Sequence, residues 1–513
     1  MSRVVRATIA AVFGYVRFGA AFAIGLALVP FTLHHIGATN YGYWLASGEL
    51  MAYATLTEFG VLLTLPWLIA EADGRGDRDR IRELLMTGAG AALLSAAVCL
   101  LLSIVLWFAL PRVLHLTIEQ RSAVVGPVLV LALLAAVAHP LRVFACVLGG
   151  LQDVRYTGIV ELVVLLVGPA LTVILLLQGY GLYALAFATA VPQVLAGICY
   201  LLRVGAIAPD LLRGWRRPEW RAIRRLYVEG SGAWMAGWGW RLISASDGLV
   251  LAALGRPTAV AALAFTNKLA QALTQMSWVP CDSGLPGLAN LAGEQQGPRV
   301  KQTIVVMVRV YLALAGAVAC VILAVNPAFV RGWVGLNFYA GANSNLVIAT
   351  LVVTMSFGHA IAVVSSVLGQ RIQIGAATFA AGLIHVALAF GLGMRLGIVG
   401  VLIAGVLSHG VVFAALAWRP FARATGMPET ALFDDVLRPW LLRMAPLAVV
   451  SLVIQKAIGT PPLAVTIAIG GVVGLAAVWY MRPLYLSFGP VRALYDRVFR
   501  WLPPGAARGA DAA

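Results

Sequence analysis

Seven ionisable residues lie inside stretches that are otherwise apolar: Arg17, Glu49, Glu58, Arg241, Asp247, Lys268 and Asp282. A charge within a hydrocarbon-spanning segment is costly, so each is a functional candidate by default. The chemistry open to them is binding and charge compensation. Arg241 and Lys268 suit an anionic head group such as a pyrophosphate, whose oxygens accept charge-assisted hydrogen bonds. Arg17 can do the same, or extend its guanidinium to the nearby cytoplasmic interface. The acids Glu49, Glu58, Asp247 and Asp282 can carry a proton or a sodium ion. Glu58 and Asp247 can equally pair with Arg17 or Arg241 as structural bridges, and Asp282, beside Pro280, can cap a bend. There is no Walker A sequence, no HExxH, no GxSxG and no metal-type Cys/His spacing. The pattern is that of a transporter without a cofactor, driven by an ion gradient or by its substrate, and not that of an enzyme.

The elements that must position these residues are membrane helices. Hydrophobic residues make up 61% of the 513 and charged ones 11%, against roughly 45–50% and 25% in soluble proteins. Apolar runs of about 20 residues recur, each long enough to cross a core of roughly 30 Å as a helix. Backbone groups in lipid must be satisfied within their own segment, which favours helices at this length. The expected fold is an all-α polytopic membrane protein of about fourteen spans. They lie near 11–33, 42–70, 83–109, 122–148, 157–178, 182–202, 231–254, 259–290, 303–325, 344–369, 374–394, 397–418, 440–457 and 463–481.

The net charge of +16 follows the same layout. Most Lys and Arg fall on one side of it, with Arg75, Arg78, Arg80 and Arg82 crowded into one loop and Arg213 to Arg225 into another. The positive-inside rule then puts both termini in the cytoplasm. The basic excess reads as topology and attraction to anionic lipid heads, not as a nucleic-acid site. The N-terminus is an uncleaved first span, since Arg17 interrupts the apolar run expected of a signal peptide.

The chain also repeats itself. "LHHIGATNYGYWLASGEL" around Gly37 is echoed by "LAALGRPTAVAALAFTNKL" around Gly255, and "HPLRVFACVLGGLQ" at His139 by "HAIAVVSSVLGQRI" at His359. "IAEADGRGDRDRIREL" at Gly74 is likewise echoed by "LANLAGEQQGPRVKQT" at Gly293, and a weaker echo pairs Gly181 with Gly397. Six spans separate the copies, so they share one orientation, as in a parallel transporter repeat. The expected organisation is an N-lobe over 1–203, a basic cytoplasmic linker over 204–230, a C-lobe over 231–420, two extra spans within 421–484 and a cytoplasmic tail over 485–513. The intramembrane charges sit mainly on spans one and two and on their equivalents, seven and eight, where a cavity between the copies would lie.

Other residues carry plainer expectations. His139 and His359, at equivalent positions, read as a shared packing role more than as a proton relay, and His385 and His409 as satisfied core residues. Trp234, Trp238 and Trp240 suit an interfacial belt more than a sugar-stacking platform. Arg142 and Arg309 lie near span ends and can snorkel. The five cysteines are scattered packing residues. The linker, with Trp220, Leu226 and Tyr227 among its arginines, and the tail around Leu494, Val498 and Trp501 read as interfacial amphipathic helices. Span eight, with Pro280, Gly284, Pro286 and Gly287, is the one most suited to bend.

"LVPFTLHHIGATNYGYWLASGELMAYATLTEFGV", with Pro30, Gly37, Tyr41-Gly42 and Glu58-Phe59-Gly60, resembles the first two helices of bacterial polysaccharide (O-antigen, Wzx-type) flippases. These belong to the multidrug/oligosaccharidyl-lipid/polysaccharide exporter (MOP) superfamily. "SDGLVLAALG" from Ser246 to Gly255 and Gly150–Gln152 are similar to family patterns, although the family more often has Asp at the place of Glu58. The resemblance covers roughly residues 10–420. It implies an inner-membrane flippase moving undecaprenyl-pyrophosphate-linked oligosaccharide by alternating access, with Arg17, Arg241 and Lys268 toward the head group and the acids toward ion coupling. Implied partners are membrane lipids, a polysaccharide polymerase and a chain-length regulator. Two other readings stay open: a multidrug or small-metabolite cation antiporter of the same fold, and a non-transporting lipid-binding scaffold of a polysaccharide-assembly complex.

Overall fold

The computed structural model describes residues 3–55, 61–213, 219–282, 285, 288, 297–428 and 432–486. Among them there is no strand; the chain is built from helices α1 (Arg3–Thr55), α2 (Val61–Gly74), α3 (Arg78–Val113), α4 (Ile118–Gly150), α5 (Val154–Leu177), α6 (Leu182–Ile207), α7 (Pro209–Leu212), α8 (Trp220–Ser244), α9 (Asp247–Ala253), α10 (Pro257–Asp282), α11 (Gly297–Val334), α12 (Ala342–Val367), α13 (Arg371–Leu396), α14 (Ile398–Leu407), α15 (Ala414–Thr425), α16 (Arg438–Ile458) and α17 (Leu463–Tyr480). Eleven helical stretches among the described residues are long and apolar enough to cross a membrane. The expectation was fourteen, and the difference has a physical origin. Spans one and two run on as α1, interrupted only at Gly37, and α2 completes span two. Span seven is broken between α8 and α9, and span eight, α10, is diluted by polar residues. Helix surfaces facing outward are apolar, as lipid demands: on α3, Leu101, Val105 and Phe108 are 65%, 62% and 66% exposed.

The sequence repeat is also a repeat of backbone conformation. Gly37 and Gly255 both adopt positive φ, 76° and 74°, a region that costs an L-residue roughly 1–2 kcal/mol. Gly181 and Gly397 agree in both angles, φ 55° and ψ −130° against φ 61° and ψ −132°, each just before a helix. That combination is essentially restricted to glycine, which is why these echoes survive where the surrounding residues have diverged. Alanine at Gly37 or Gly255 is expected to lower stability by about 1–2 kcal/mol, read as a lower melting temperature in detergent. An unchanged melting temperature would show that the turn relaxes.

The helices gather into two compact units. The first holds residues up to Thr266, Trp333–Ala340 and Arg371–Phe413; the second holds Asn267–Gly332, Gly341–Gln370 and the chain from Ala414 on. In the first unit Leu65, Ile69, Leu85, Val147 and Leu148 form a buried core between α2, α3 and α4. Also in it, α8 lies against α13 so closely that a Cβ on Gly239 would sit 2.2 Å from the Thr378 carbonyl oxygen. In the second unit α16 and α17 pack on α11 through Met444, Leu447 and Ala477 against Ala317 and Cys320, and Trp440 Nε1 donates to the Leu312 carbonyl at 2.7 Å. These two helices have no counterpart in the repeat and are held by small-residue packing of the kind membranes favour.

The linker differs from its expectation. Its second half is not a separate surface helix but the opening turns of α8, where Ile223 and Leu226 are buried against Val61 and Ala91 and the Tyr227 hydroxyl donates to the Ala91 carbonyl at 3.0 Å. Trp220, 63% exposed, keeps the interfacial character. The tail around Leu494, Val498 and Trp501, Gly293, and Gly284, Pro286 and Gly287 of span eight lie outside the described residues. All five cysteines are free.

Candidate functional site

The break in span seven organises the first unit. α8 ends at Ser244, Ala245 leaves helical geometry, and α9 starts at Asp247. A serine before an aspartate is helix-start chemistry, because such side chains compete for backbone groups; here the Ser246 hydroxyl turns back to donate to the Leu242 carbonyl. Amides at the new helix start are then available, and Glu49, arriving on α1, accepts from the Leu249 N–H at 2.7 Å. Gly248 makes that approach feasible: a Cβ there would stand 2.6 Å from Glu49 Oε1. Arg241 and Asp247 are the side chains whose charges act on Glu49. Three of the seven sequence candidates thus converge around one discontinuous helix.

Gly248→Ala is expected to push Glu49 off the α9 amides, at a cost of about 1.5–3 kcal/mol for a hydrogen bond to a charged group. Glu49→Gln, which keeps an acceptor oxygen, should cost less. Thermal melting of the two purified variants checks the order, and equal losses would show that the contact carries no weight.

Asp247 has a different partner from those expected. Its Oδ1 lies 2.9 Å from Nε2 of His385 on α13, and the His385 side chain is fully buried. His385 Nδ1 is buried and has no hydrogen-bond partner among the described residues, so Nε2 carries the proton that meets Asp247. Nearby in the same unit, His409 sits in a wide π turn, Ser408–Phe413, with its ring 5.8 Å from that of Trp240. Such turns inside α-helices occur often at functional sites. His385 is thus a buried core histidine, as expected, and the group that satisfies it is an intramembrane acid. Trp240, half-buried, packs against His409 within the unit.

Arg17 is placed elsewhere in the first unit. Its guanidinium donates to Glu161 on α5 at 2.6 Å, and the pair lines a cavity of about 410 Å³ together with Arg142, Gln193 and Tyr200. A second cavity, about 370 Å³, shares Arg142 and Gln193 and reaches Ser103 and His139. Glu161 escaped the sequence reading, although it is the one acidic residue of span five and its position within an apolar run was the available signal. Glu58 lies outside the described residues.

The second unit holds Lys268 and Asp282, on one helix and roughly 21 Å apart along it at 1.5 Å per residue. Lys268 is half-buried, and neither it nor Arg241 has a hydrogen-bond or ion-pair partner among the described residues. Asp282 accepts from the Tyr311 hydroxyl and faces His359 Nε2, at 3.0 Å from Oδ1 and 3.3 Å from Oδ2. The His359 ring stacks on Trp278 with centroids 4.0 Å apart and planes at 7°. His359 is more than a packing residue.

Helices broken or bent where ionisable residues collect, in a duplicated multi-pass architecture, define a membrane transporter fold. Solved structures with this fold include an inward-facing multidrug resistance MATE family transporter of the MOP superfamily, with TM-score 0.59 and 16% identity over 83% of this chain and 99% of that one. They also include the lipid II flippase MurJ in an inward closed conformation, with TM-score 0.63 and 10% identity over 94% of this chain and 99% of that one. An outward-facing MATE transporter aligns at 0.54 with 15% identity over 81% and 96%. No curated protein matches the sequence. The model of the polysaccharide biosynthesis protein family matches residues 12–285, more than half of the chain. The chain belongs to that family, and its fold is that of the MOP superfamily.

Proposed function

We infer that this protein is a flippase carrying an undecaprenyl-pyrophosphate-linked oligosaccharide from the cytoplasmic to the periplasmic leaflet of a bacterial inner membrane. The cargo would serve cell-surface polysaccharide such as O-antigen, capsule or exopolysaccharide. The observation that carries the reading is membership of the polysaccharide biosynthesis protein family over residues 12–285, and the likeness to a lipid II flippase supports it. A sugar head group cannot cross hydrocarbon without polar company, and its pyrophosphate calls for Arg or Lys. Arg241 and Lys268 take that role, Arg17 less directly, because Glu161 already engages it. Glu49, Glu58, Asp247 and Asp282 serve coupling to protons or sodium, in an alternating-access cycle of the two repeats. Both termini face the cytoplasm, and a polymerase and a chain-length regulator act next on the delivered unit.

Deletion of the gene tests this. Surface polysaccharide should be lost while its undecaprenyl-linked unit accumulates on the cytoplasmic side. The likeness to multidrug transporters favours a second reading, a cation antiporter of the same fold. Intact polysaccharide combined with altered drug sensitivity would decide for that one.

A further inference from the structure

The two copies of the repeat treat their shared histidine in opposite ways. In the first copy His139 is buried and lines a cavity beside Arg142, a neighbour that repels a second positive charge. In the second copy His359 meets a carboxylate and an aromatic face. Asp282 lies 3.0 Å from Nε2, and the indole of Trp278 covers the ring at 4.0 Å in a nearly parallel stack. Trp278 is fixed in turn by donation from its Nε1 to Ser356 Oγ at 3.0 Å. A carboxylate within hydrogen-bond reach of one ring nitrogen and an indole face over the ring are the two kinds of group that can receive a cation at this place. The Asp282 side chain is 38% exposed and that of His359 19%, so a proton has a way in and out.

We propose that His359, held between Asp282 and Trp278, is a proton-binding site of this transporter, and that proton uptake there is coupled to its cycle. The proton adds at Nδ1, because Nε2–H already faces Asp282, and leaves from Nδ1 when the site reopens. No other bond forms or breaks. Around the ring, α10 contributes Asp282 and the adjacent Cys281, whose thiol turns to the Met307 carbonyl, and α11 contributes Tyr311, whose hydroxyl donates to Asp282. Among the described residues α15 gives His359 neither a hydrogen bond nor an ion pair. Histidine is the side chain whose charge changes within the physiological range, so proton, rather than sodium, is the ion this cluster fits. The coupling step rests on the transporter reading above; the binding step does not.

A protonated imidazole quenches an indole stacked on it, so the site reports on itself. Tryptophan fluorescence of the full-length protein in nanodiscs should fall in one step on acidification from pH 9 to pH 4. The step should vanish in Trp278→Phe and in His359→Gln, which keeps a donor toward Asp282. It should persist in His409→Gln, which removes the other histidine close to a tryptophan. A step that survives in either Trp278→Phe or His359→Gln, or no step in the native protein, overturns the site. If His359→Gln does not fold, Trp278→Phe alone decides. For coupling, the protein is placed in vesicles of phosphatidylethanolamine and phosphatidylglycerol containing pyranine. Adding polyprenyl-pyrophosphate-linked N-acetylglucosamine as probe should start proton movement in the native protein and at least tenfold less in His359→Gln. Probe movement without proton movement overturns the coupling. A fluorescence step with no probe movement upholds the proton site and counts against the flippase reading instead.

Discussion

Alanine at Arg241 or at Lys268 is expected to lower cargo movement at least tenfold while leaving the amount of folded protein unchanged. The three cations suggested by the sequence do not stand alike in the structure. Arg17 is tied to Glu161 at 2.6 Å, so removing it strands an acid and acts first on the protein itself. Arg241 and Lys268 have no hydrogen-bond or ion-pair partner among the described residues, and a cation kept inside a span without such a partner is most economically explained by a ligand. A hydrogen bond between charged groups is worth about 1.5–3 kcal/mol, and each 1.4 kcal/mol is about a factor of ten. Losing one pyrophosphate contact should therefore cost between about tenfold and a hundredfold. Arg241→Lys keeps the charge but not the two-pronged geometry and should recover part of the loss. Surface polysaccharide in a complemented deletion strain gives the transport, and immunoblotting of the membranes gives the protein. A fall in protein that accounts for the fall in polysaccharide would return both residues to a structural role.

The fold was readable in the sequence wherever a feature is local or periodic. Apolar runs mark helices because lipid leaves no other choice for the backbone. The glycine echoes proved the most faithful, since a positive φ at Gly37 and Gly255 admits few other residues. The break between α8 and α9 was also legible, in "SASDG", but was passed over because an apolar run tends to be read as one helix. Pairings were not legible. Asp247 and His385 lie 138 positions apart, and nothing local distinguishes a buried histidine that meets an acid from one that meets a carbonyl. The pairing of Asp282 with His359 was half visible, because the repeat singled out His359 as equivalent to His139. It hid the difference between them, which lies in the neighbours, Arg142 for one and Asp282 for the other.

Leucine at His385 is expected to be the most destabilising of the single substitutions considered. It fills the space but leaves Asp247, whose side chain is only 15% exposed, facing an apolar group. Hydrogen bonds between membrane helices average only about 0.6 kcal/mol, with a maximum near 1.7. Stranding one member of a buried charged pair costs about 3–5 kcal/mol. The second figure is the relevant one, because the acid remains when its donor is removed. Partial access to water brings the expectation down to about 2–4 kcal/mol. His385→Gln, which can still present an N–H, should lose much less, and Asp247→Asn, which still offers an acceptor, about 1 kcal/mol. The double variant Asp247→Leu with His385→Leu is the sharpest comparison. If the cost of His385→Leu is the stranded acid, removing that acid restores stability, and the double variant melts above the single one. Additive losses would show instead that His385 contributes by its volume within α13, with no dependence on Asp247.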